Sequence, residues 1–185
     1  MKKVLIIGAG GIGSFLIPLL DRIGEYDITV ADPDKVETKN LLYQNYLPLH
    51  VGENKAQCMR DMHNNVGKAS PFPILTAKQM EGYDLVVSCV DNLGVRRTLY
   101  LTTLKWLDLR AQGRNAAFVS HKADPKMYET LLAGPEGSFS CQAENWDGSG
   151  RNVNLMNAMI AGVGAQWIQK HFNNEDVKDF MTFNI

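Results

Sequence analysis

Four glycines, Gly8, Gly10, Gly11 and Gly13, follow directly on the apolar run Val4-Leu5-Ile6-Ile7, and the acidic Asp32 comes about 19 residues after the last of them. A buried strand that runs through a glycine turn into a helix is suited to hold the pyrophosphate of a nucleotide. Gly8 permits the tight turn, and Gly10 lets the backbone approach the phosphates. Gly13 lets the following helix pack on the strand with its N-terminal N–H groups facing the anion. Asp32, at the end of the next strand, is spaced to accept from ribose hydroxyls. The turn does not name the nucleotide. Dinucleotides and ATP both use it, and taken alone it favours an NAD(P)-dependent Rossmann oxidoreductase.

The loop after Asp32 changes that balance. It reads Asp32-Pro33-Asp34-Lys35-Val36-Glu37-Thr38-Lys39-Asn40-Leu41-Leu42-Tyr43-Gln44-Asn45, and Gly52-Glu53-Asn54-Lys55-Ala56 follows. An enzyme that adenylates a carboxylate must grip three phosphates, hold Mg²⁺ and leave the α-phosphorus open, which calls for polar groups and a lysine beyond the glycine turn. Asn40 and Gln44 could supply neutral hydrogen bonds, and Lys55, at the start of a predicted helix, could reach phosphate oxygens. Farther on, Val86-Val87-Ser88-Cys89-Val90-Asp91-Asn92 sets a carboxylate just past the C-terminal end of a strand. In an open α/β sheet that edge is where ligands bind.

These motifs, in this order, resemble the ThiF/MoeB-type adenylating family, the bacterial relatives of ubiquitin-activating enzymes, from Val4 to Arg97. The family pattern is a glycine-rich turn, then D-x-D-x-V-x-x-x-N-L-x-R-Q, then G-x-x-K, then a D-N pair before a helix. Gly8, Gly10, Gly11 and Gly13 match the turn, and Asp32, Asp34, Val36, Asn40, Leu41 and Gln44 match the second motif. Lys55 matches the third, and Asp91, Asn92 and Arg96 match the fourth. The resemblance implies that Asp32 binds the ribose of ATP, that Asn40 and Lys55 contact its phosphates, and that Asp91 is the Mg²⁺ ligand. It further implies a catalytic set of Lys55, Asp91 and Arg96. The substrate would be the C-terminal carboxylate of a small ubiquitin-like or sulfur-carrier protein, or of a peptide, and the assembly a homodimer.

The chain departs from the pattern in ways that shape the expectation. Tyr43 stands where the family has an arginine, so one phosphate-binding cation is replaced by a neutral phenol. Many members supply another arginine from a helix upstream of the first strand, and here that strand starts next to Met1. Arg96, Arg97, Arg110 and Arg114 are the candidates to replace the charge; a catalytically weakened partner subunit is therefore a third reading beside adenylyltransferase and oxidoreductase. Neither the paired-cysteine zinc site nor the thioester cysteine of many relatives has a counterpart. Cys58 and Cys89 are expected in a helix and in the sheet, and Cys141 is read as an incidental thiol, so adenylation is expected without an obligatory thioester. His121 is read as a surface histidine.

The elements that must position these groups follow a βαβα alternation, giving an α/β, Rossmann-like, doubly wound, mainly parallel sheet with helices on both faces in a single domain. Ile12, Phe15, Leu16, Leu19, Leu20 and Ile23 recur at helical spacing and Gly24 ends the pattern. Strands are expected at 28–31, 72–75 and 85–89, with weaker ones at 107–111 and 116–120. Between them lie a long loop over 32–46 with one helical turn at 40–43, a helix within 52–66, and a helix from Val95 ending near Trp106. Residues 122–151 read as irregular, and a closing helix over 153–172 carries the stripe Val153, Met156, Met159, Ile160, Val163, Trp167 and Ile168.

Composition narrows the classes further. The 185 residues suit one domain with one substantial core, and a net charge of −1 with scattered basic residues argues against a nucleic-acid binder. No apolar stretch approaches a membrane span and no signal peptide precedes the first strand, so the expected location is the cytoplasm. Three widely spaced cysteines support neither a disulfide framework nor a zinc knuckle.

Overall fold

The structure is a computed structural model that describes residues 1–127, 149–150, 153 and 155–185. Seven strands form one sheet in the order β3-β2-β1-β4-β5-β6-β7: β1 (Lys2–Ile7), β2 (Tyr26–Ala31), β3 (Val66–Ser70), β4 (Leu85–Ser88), β5 (Trp106–Gln112), β6 (Asn115–Ser120) and β7 (Phe180–Asn184). The first five in spatial order pair in parallel, whereas β5-β6 and β6-β7 are antiparallel. The chain leaves β1 for β2 on one side and later returns to place β4 on the other. That reversal opens a crevice above the C-terminal ends of β1 and β4, the topological switch point where open α/β sheets bind ligands.

The central strands are apolar on both faces because both are covered. Val4 and Ile6 of β1 belong to one buried cluster and Leu5 and Ile7 to another. On the first face lie α1 (Gly13–Ile23), α2 (Lys55–Met62) and α4 (Met156–Phe172), through Leu16, Leu20, Met59, Ile160 and Ile168. On the second face lies α3 (Leu93–Tyr100), through Leu99 and Tyr100, with Ile74 and Met80 beside it. Each fully buried side chain of this size contributes about 1.5–3 kcal/mol. The stripe of the closing helix is therefore core: Met156, Ile160, Trp167 and Ile168 are buried and Met159 and Val163 are partly so.

α1 ends as its sequence predicts, with Gly24 in the left-handed region at φ 77° and its N–H donating to the Leu20 carbonyl. Pro18 sits inside α1 and has no N–H to offer the Ser14 carbonyl one turn back. Asn45 replaces that donor: its Nδ2 reaches the Ser14 carbonyl at 3.3 Å, while its own N–H donates to Ser14 Oγ at 3.0 Å.

Several boundaries differ from the sequence expectation. Residues 72–75 form no strand. Pro71 and Pro73 withhold ladder donors, Phe72 and Leu75 are exposed, and the third strand is Val66–Ser70. This edge strand, Val-Gly-Lys-Ala-Ser, has little β-propensity, and its register with β2 shifts between Ile28 and Thr29. The helix expected to reach Trp106 ends at Tyr100, because Trp106 opens β5 and stacks on the Tyr100 ring at 4.6 Å. The closing helix begins at Met156 rather than at residue 153. β7 lies beyond any element that periodicity marked. Most of the segment read as irregular, and Cys141 within it, lie outside the described residues. Among the described residues no helix is long and apolar enough to cross a membrane.

Candidate functional site

The glycine turn joins β1 to α1 and is closed by contacts that only glycine permits at two positions. Gly8 has φ 94°, and a Cβ there would lie 2.9 Å from Val90 Cγ1 and 3.0 Å from the Cys89 carbonyl oxygen. A Cβ on Gly13 would lie 2.0 Å from the Gly8 carbonyl oxygen, so the helix start and the strand end touch through bare backbone. Gly10 and Gly11 are half-buried at the open side of the turn.

Asp32 closes the turn from β2. It is 4% exposed; its Oδ2 accepts the Ala9 N–H at 2.6 Å and its Oδ1 accepts the Asp34 N–H at 2.8 Å. Burial pushes its carboxyl above the ordinary carboxylate range, and these two N–H donors together with Lys55 only partly offset that. Each oxygen still has acceptor capacity for a further donor.

Lys55 is held against the same segment. Asn54 caps α2, its Oδ1 accepting the Gln57 N–H at 3.1 Å, and its Nδ2 donates to the carbonyls of Asp32 at 2.9 Å and Asp34 at 3.1 Å. The Lys55 N–H donates to the Asp34 carbonyl at 2.9 Å. Its side chain is 8% exposed and its ammonium lies 3.5 Å from the Asp34 carboxylate, which itself is largely in solvent. A buried ammonium near the glycine turn, between the exposed Asp34 carboxylate at 3.5 Å and the buried Asp32 carboxyl whose charge it favours, has the chemistry to meet an anion.

Gln44 packs against the turn, with Nε2 3.8 Å from where a Cβ on Gly10 would be. It is 8% exposed, yet its Oε1 is buried without a hydrogen-bond partner among the described residues. A buried amide oxygen left over beside the glycine turn fits a site completed by a ligand or a bound water.

Three of the expected site residues are engaged within the fold. Asn40 is 3% exposed; its Oδ1 accepts the Glu37 N–H at 2.9 Å and its Nδ2 donates to the Tyr43 hydroxyl at 3.1 Å. It fastens the 3₁₀ turn Thr38–Leu42. Asn92 is the N-cap of α3, its Oδ1 accepting the N–H groups of Gly94 at 2.8 Å and Val95 at 3.2 Å. Arg96 turns inward, with Nε 3.2 Å from Asp108 Oδ1. Its charge is therefore matched inside the protein by a carboxylate on β5. Asp91 is exposed just beyond β4 on the crevice side.

The partner of Arg96 was missed by sequence reading. Asp108 is fully buried in β5; its Oδ2 accepts from Arg110 Nε at 2.8 Å and from the Tyr100 hydroxyl at 2.5 Å. Burial pushes its carboxyl up, but Arg96 and Arg110, with the Tyr100 hydroxyl, outweigh this and hold it below the usual carboxylate range. The signal was an acid inside Trp-Leu-Asp-Leu, which demands a buried partner. Asn54 was missed as well; an asparagine directly before the expected helix is a cap signal. Cys58 and Cys89 are both buried, and burial raises both thiols, which argues against either as a nucleophile. His121 is half-buried, its Nδ1 3.3 Å from the Trp106 carbonyl oxygen, and burial lowers its pKa.

A strand order that reverses at a glycine turn, with a carboxylate ending the adjacent strand, defines a Rossmann-like nucleotide-binding fold. Its sequence places it more narrowly. The chain belongs to the ThiF family, whose sequence model matches residues 1–184. A ubiquitin-like modifier-activating enzyme 5 from Caenorhabditis briggsae is 32% identical over 114 residues, covering 51% of this chain and 26% of the relative. An adenylyltransferase and sulfurtransferase UBA4 from Candida glabrata is 26% identical over 198 aligned positions, covering 97% of this chain and 45% of the relative. The chain thus spans less than half the length of either. Among solved structures, Escherichia coli MccB with AMPCPP and MccA superimposes with a TM-score of 0.68 at 17% identity, covering 99% of this chain and 63% of that one. PaaA superimposes with a TM-score of 0.69 at 16% identity, covering 61% of its own chain. At such identities these two structures establish the shared fold.

Proposed function

We propose that this chain is an ATP-dependent adenylyltransferase that activates the C-terminal carboxylate of a small ubiquitin-like protein or peptide. The observation that carries the reading is Lys55: a buried lysine heading a helix, fastened by Asn54 to the Asp32–Asp34 segment beside the glycine turn. A nicotinamide site uses the turn and the ribose acid but has no need of that ammonium. MccB crystallised with AMPCPP and MccA, an ATP analogue and a further polypeptide, supports the same direction.

In this reading the N–H groups of the glycine turn and the start of α1 face the phosphates, Asp32 accepts from ribose, and Lys55 neutralises phosphate oxygens. The acyl carboxylate oxygen attacks the α-phosphorus, the bond to the bridging oxygen breaks, and pyrophosphate leaves with that electron pair. The chain's part is to align the weak nucleophile and stabilise oxygens that gain charge. Asp91 is the residue that would hold Mg²⁺; one exposed carboxylate fits an ion that in nucleotide sites takes one or two carboxylates plus phosphate oxygens. Bound there, the ion would supply charge neutralisation on the phosphates. Among the described residues no cluster of three acidic, histidine or cysteine side chains offers an all-protein cage.

The proposal includes a homodimer. It is supported by the exposed apolar side chains Leu42, Leu47, Leu49 and Val51 on the loop that follows β2, which association would cover. The nucleotide is tested by thermal shift of the full chain with ATP and Mg²⁺ against NADH: stabilisation by ATP alone supports the proposal, and stabilisation by NADH alone replaces it with the oxidoreductase.

A further inference from the structure

Ala9 lies between the first two glycines of the turn, and both of its backbone polar groups are held. Its N–H donates to Asp32 Oδ2 at 2.6 Å, and its carbonyl accepts from the Tyr46 hydroxyl at 2.6 Å. Tyr46 comes from the loop after β2, is 6% exposed, and packs its ring edge-on to His50 with centroids 6.2 Å apart. Its neighbour Asn45 makes the separate tie to Ser14 and the carbonyl that Pro18 leaves without a donor.

These two hydrogen bonds act on consecutive peptide planes, Gly8–Ala9 through the N–H and Ala9–Gly10 through the carbonyl, and together they fix the backbone at Ala9 as neither does alone. The next residue is Gly10, whose φ and ψ would otherwise swing freely and whose carbonyl accepts the Ser14 N–H at 3.0 Å to open α1. A glycine turn that must present its N–H groups to phosphates gains affinity when those groups are oriented before the ligand arrives. From this arrangement we infer that Tyr46 is a positioning residue of the nucleotide site, acting through the Ala9 carbonyl to hold the phosphate-binding turn in its competent form. The inference rests on the reading of the turn as a nucleotide site and adds to it a residue that touches no nucleotide.

The test removes one oxygen atom. Tyr46→Phe keeps the packed ring and deletes the donor, and the ATP affinity of the full chain is measured by calorimetry beside its melting temperature. The expected result is roughly a tenfold weaker Kd and a KM for ATP raised by the same factor with kcat near that of the wild type, as loss of one buried hydrogen bond implies. Replacing Tyr46 by para-aminophenylalanine, which restores a donor at the same reach, should recover the affinity. Asn45→Ala is the control, because it loosens the same loop without touching Ala9 and should lower the melting temperature while leaving Kd unchanged. Unchanged affinity in Tyr46→Phe overturns the inference. So does an affinity loss shared by both variants in proportion to their loss of stability, and so does a para-aminophenylalanine chain that folds but binds no better than Tyr46→Phe. A wild-type chain that binds NADH and not ATP removes the adenylyltransferase reading, and the Tyr46 inference is then decided on NADH affinity. Binding of neither nucleotide removes both.

Discussion

The Asp32 carboxylate accepts the Ala9 N–H at 2.6 Å, so the acid that directly follows β2 is also part of the glycine turn after β1. A residue spaced to read ribose is thereby a structural clasp as well. Asp32→Ala strips a buried N–H of its acceptor. It should cost about 1–3 kcal/mol in denaturant unfolding and weaken ATP binding at the same time.

Asp32 and Asp108 should leave opposite marks on the pH dependence of stability. Burial raises the Asp32 pKa on folding, so its contribution is fullest when protonated, below the ordinary value of 3.8, and is lost as pH rises through the raised value. The Asp108 pKa is lowered on folding by Arg96 and Arg110 against its burial, so its contribution is present above 3.8 and is lost as pH falls through the lowered value. Subtracting the unfolding curve of Asp32→Asn, or of Asp108→Asn, from the wild type between acid and neutral pH should show these two slopes with opposite sign.

Asp108→Asn should also be among the most damaging single changes outside the crevice. It leaves the guanidiniums of Arg96 and Arg110 mostly buried without their shared carboxylate. A loss of about 3 kcal/mol or more at neutral pH is expected by chemical denaturation.

Gly13→Ala should prevent the turn from forming. The added Cβ would sit 2.0 Å from a backbone oxygen that cannot rotate away. Gly164→Ala is a milder comparison, since its nearest atom, at 2.5 Å, is the end of the Leu109 side chain. Circular dichroism should show a folded Gly164→Ala and a Gly13→Ala that unfolds at far lower denaturant.

Lys55→Met should separate function from stability. The buried stem is replaced by one of similar length, and its ion pair with the exposed Asp34 carboxylate, at 3.5 Å, adds little to stability. The melting temperature should hold within a few degrees of wild type while ATP-pyrophosphate exchange falls about 100-fold, the scale of losing one oxyanion-stabilising group.

What the sequence made legible were features whose signal is local. The Gly8-to-Gly13 turn, the Gly24 stop and the buried strand Val4–Ile7 depend on residues close in the chain, and each stands where pattern put it. β3 was hidden because an edge strand of Val-Gly-Lys-Ala-Ser has no apolar alternation, its pairing with β2 supplying what propensity lacks. The site divides the same way. Motif order singled out Asp32, Lys55 and Asp91 as candidates, but spacing does not say where an amide or guanidinium points. Asn40, Asn92 and Arg96 each found a partner inside the fold, and in the case of Arg96 the decisive acid, Asp108, lies on another strand. Tyr46 was silent in sequence because its partner is a backbone carbonyl 37 positions away.

The proposed reaction turns ATP and a carboxylate into an acyl adenylate and pyrophosphate in the crevice between β1 and β4. It is tested most directly by incorporation of radiolabelled pyrophosphate into ATP, with the full chain, Mg²⁺ and small carrier proteins or peptides ending in Gly-Gly. Exchange that needs the carrier's free C-terminal carboxylate and is abolished in Asp91→Ala is the predicted result. ATP binding with no exchange for any such carboxylate, or exchange that Asp91→Ala leaves intact, would contradict it.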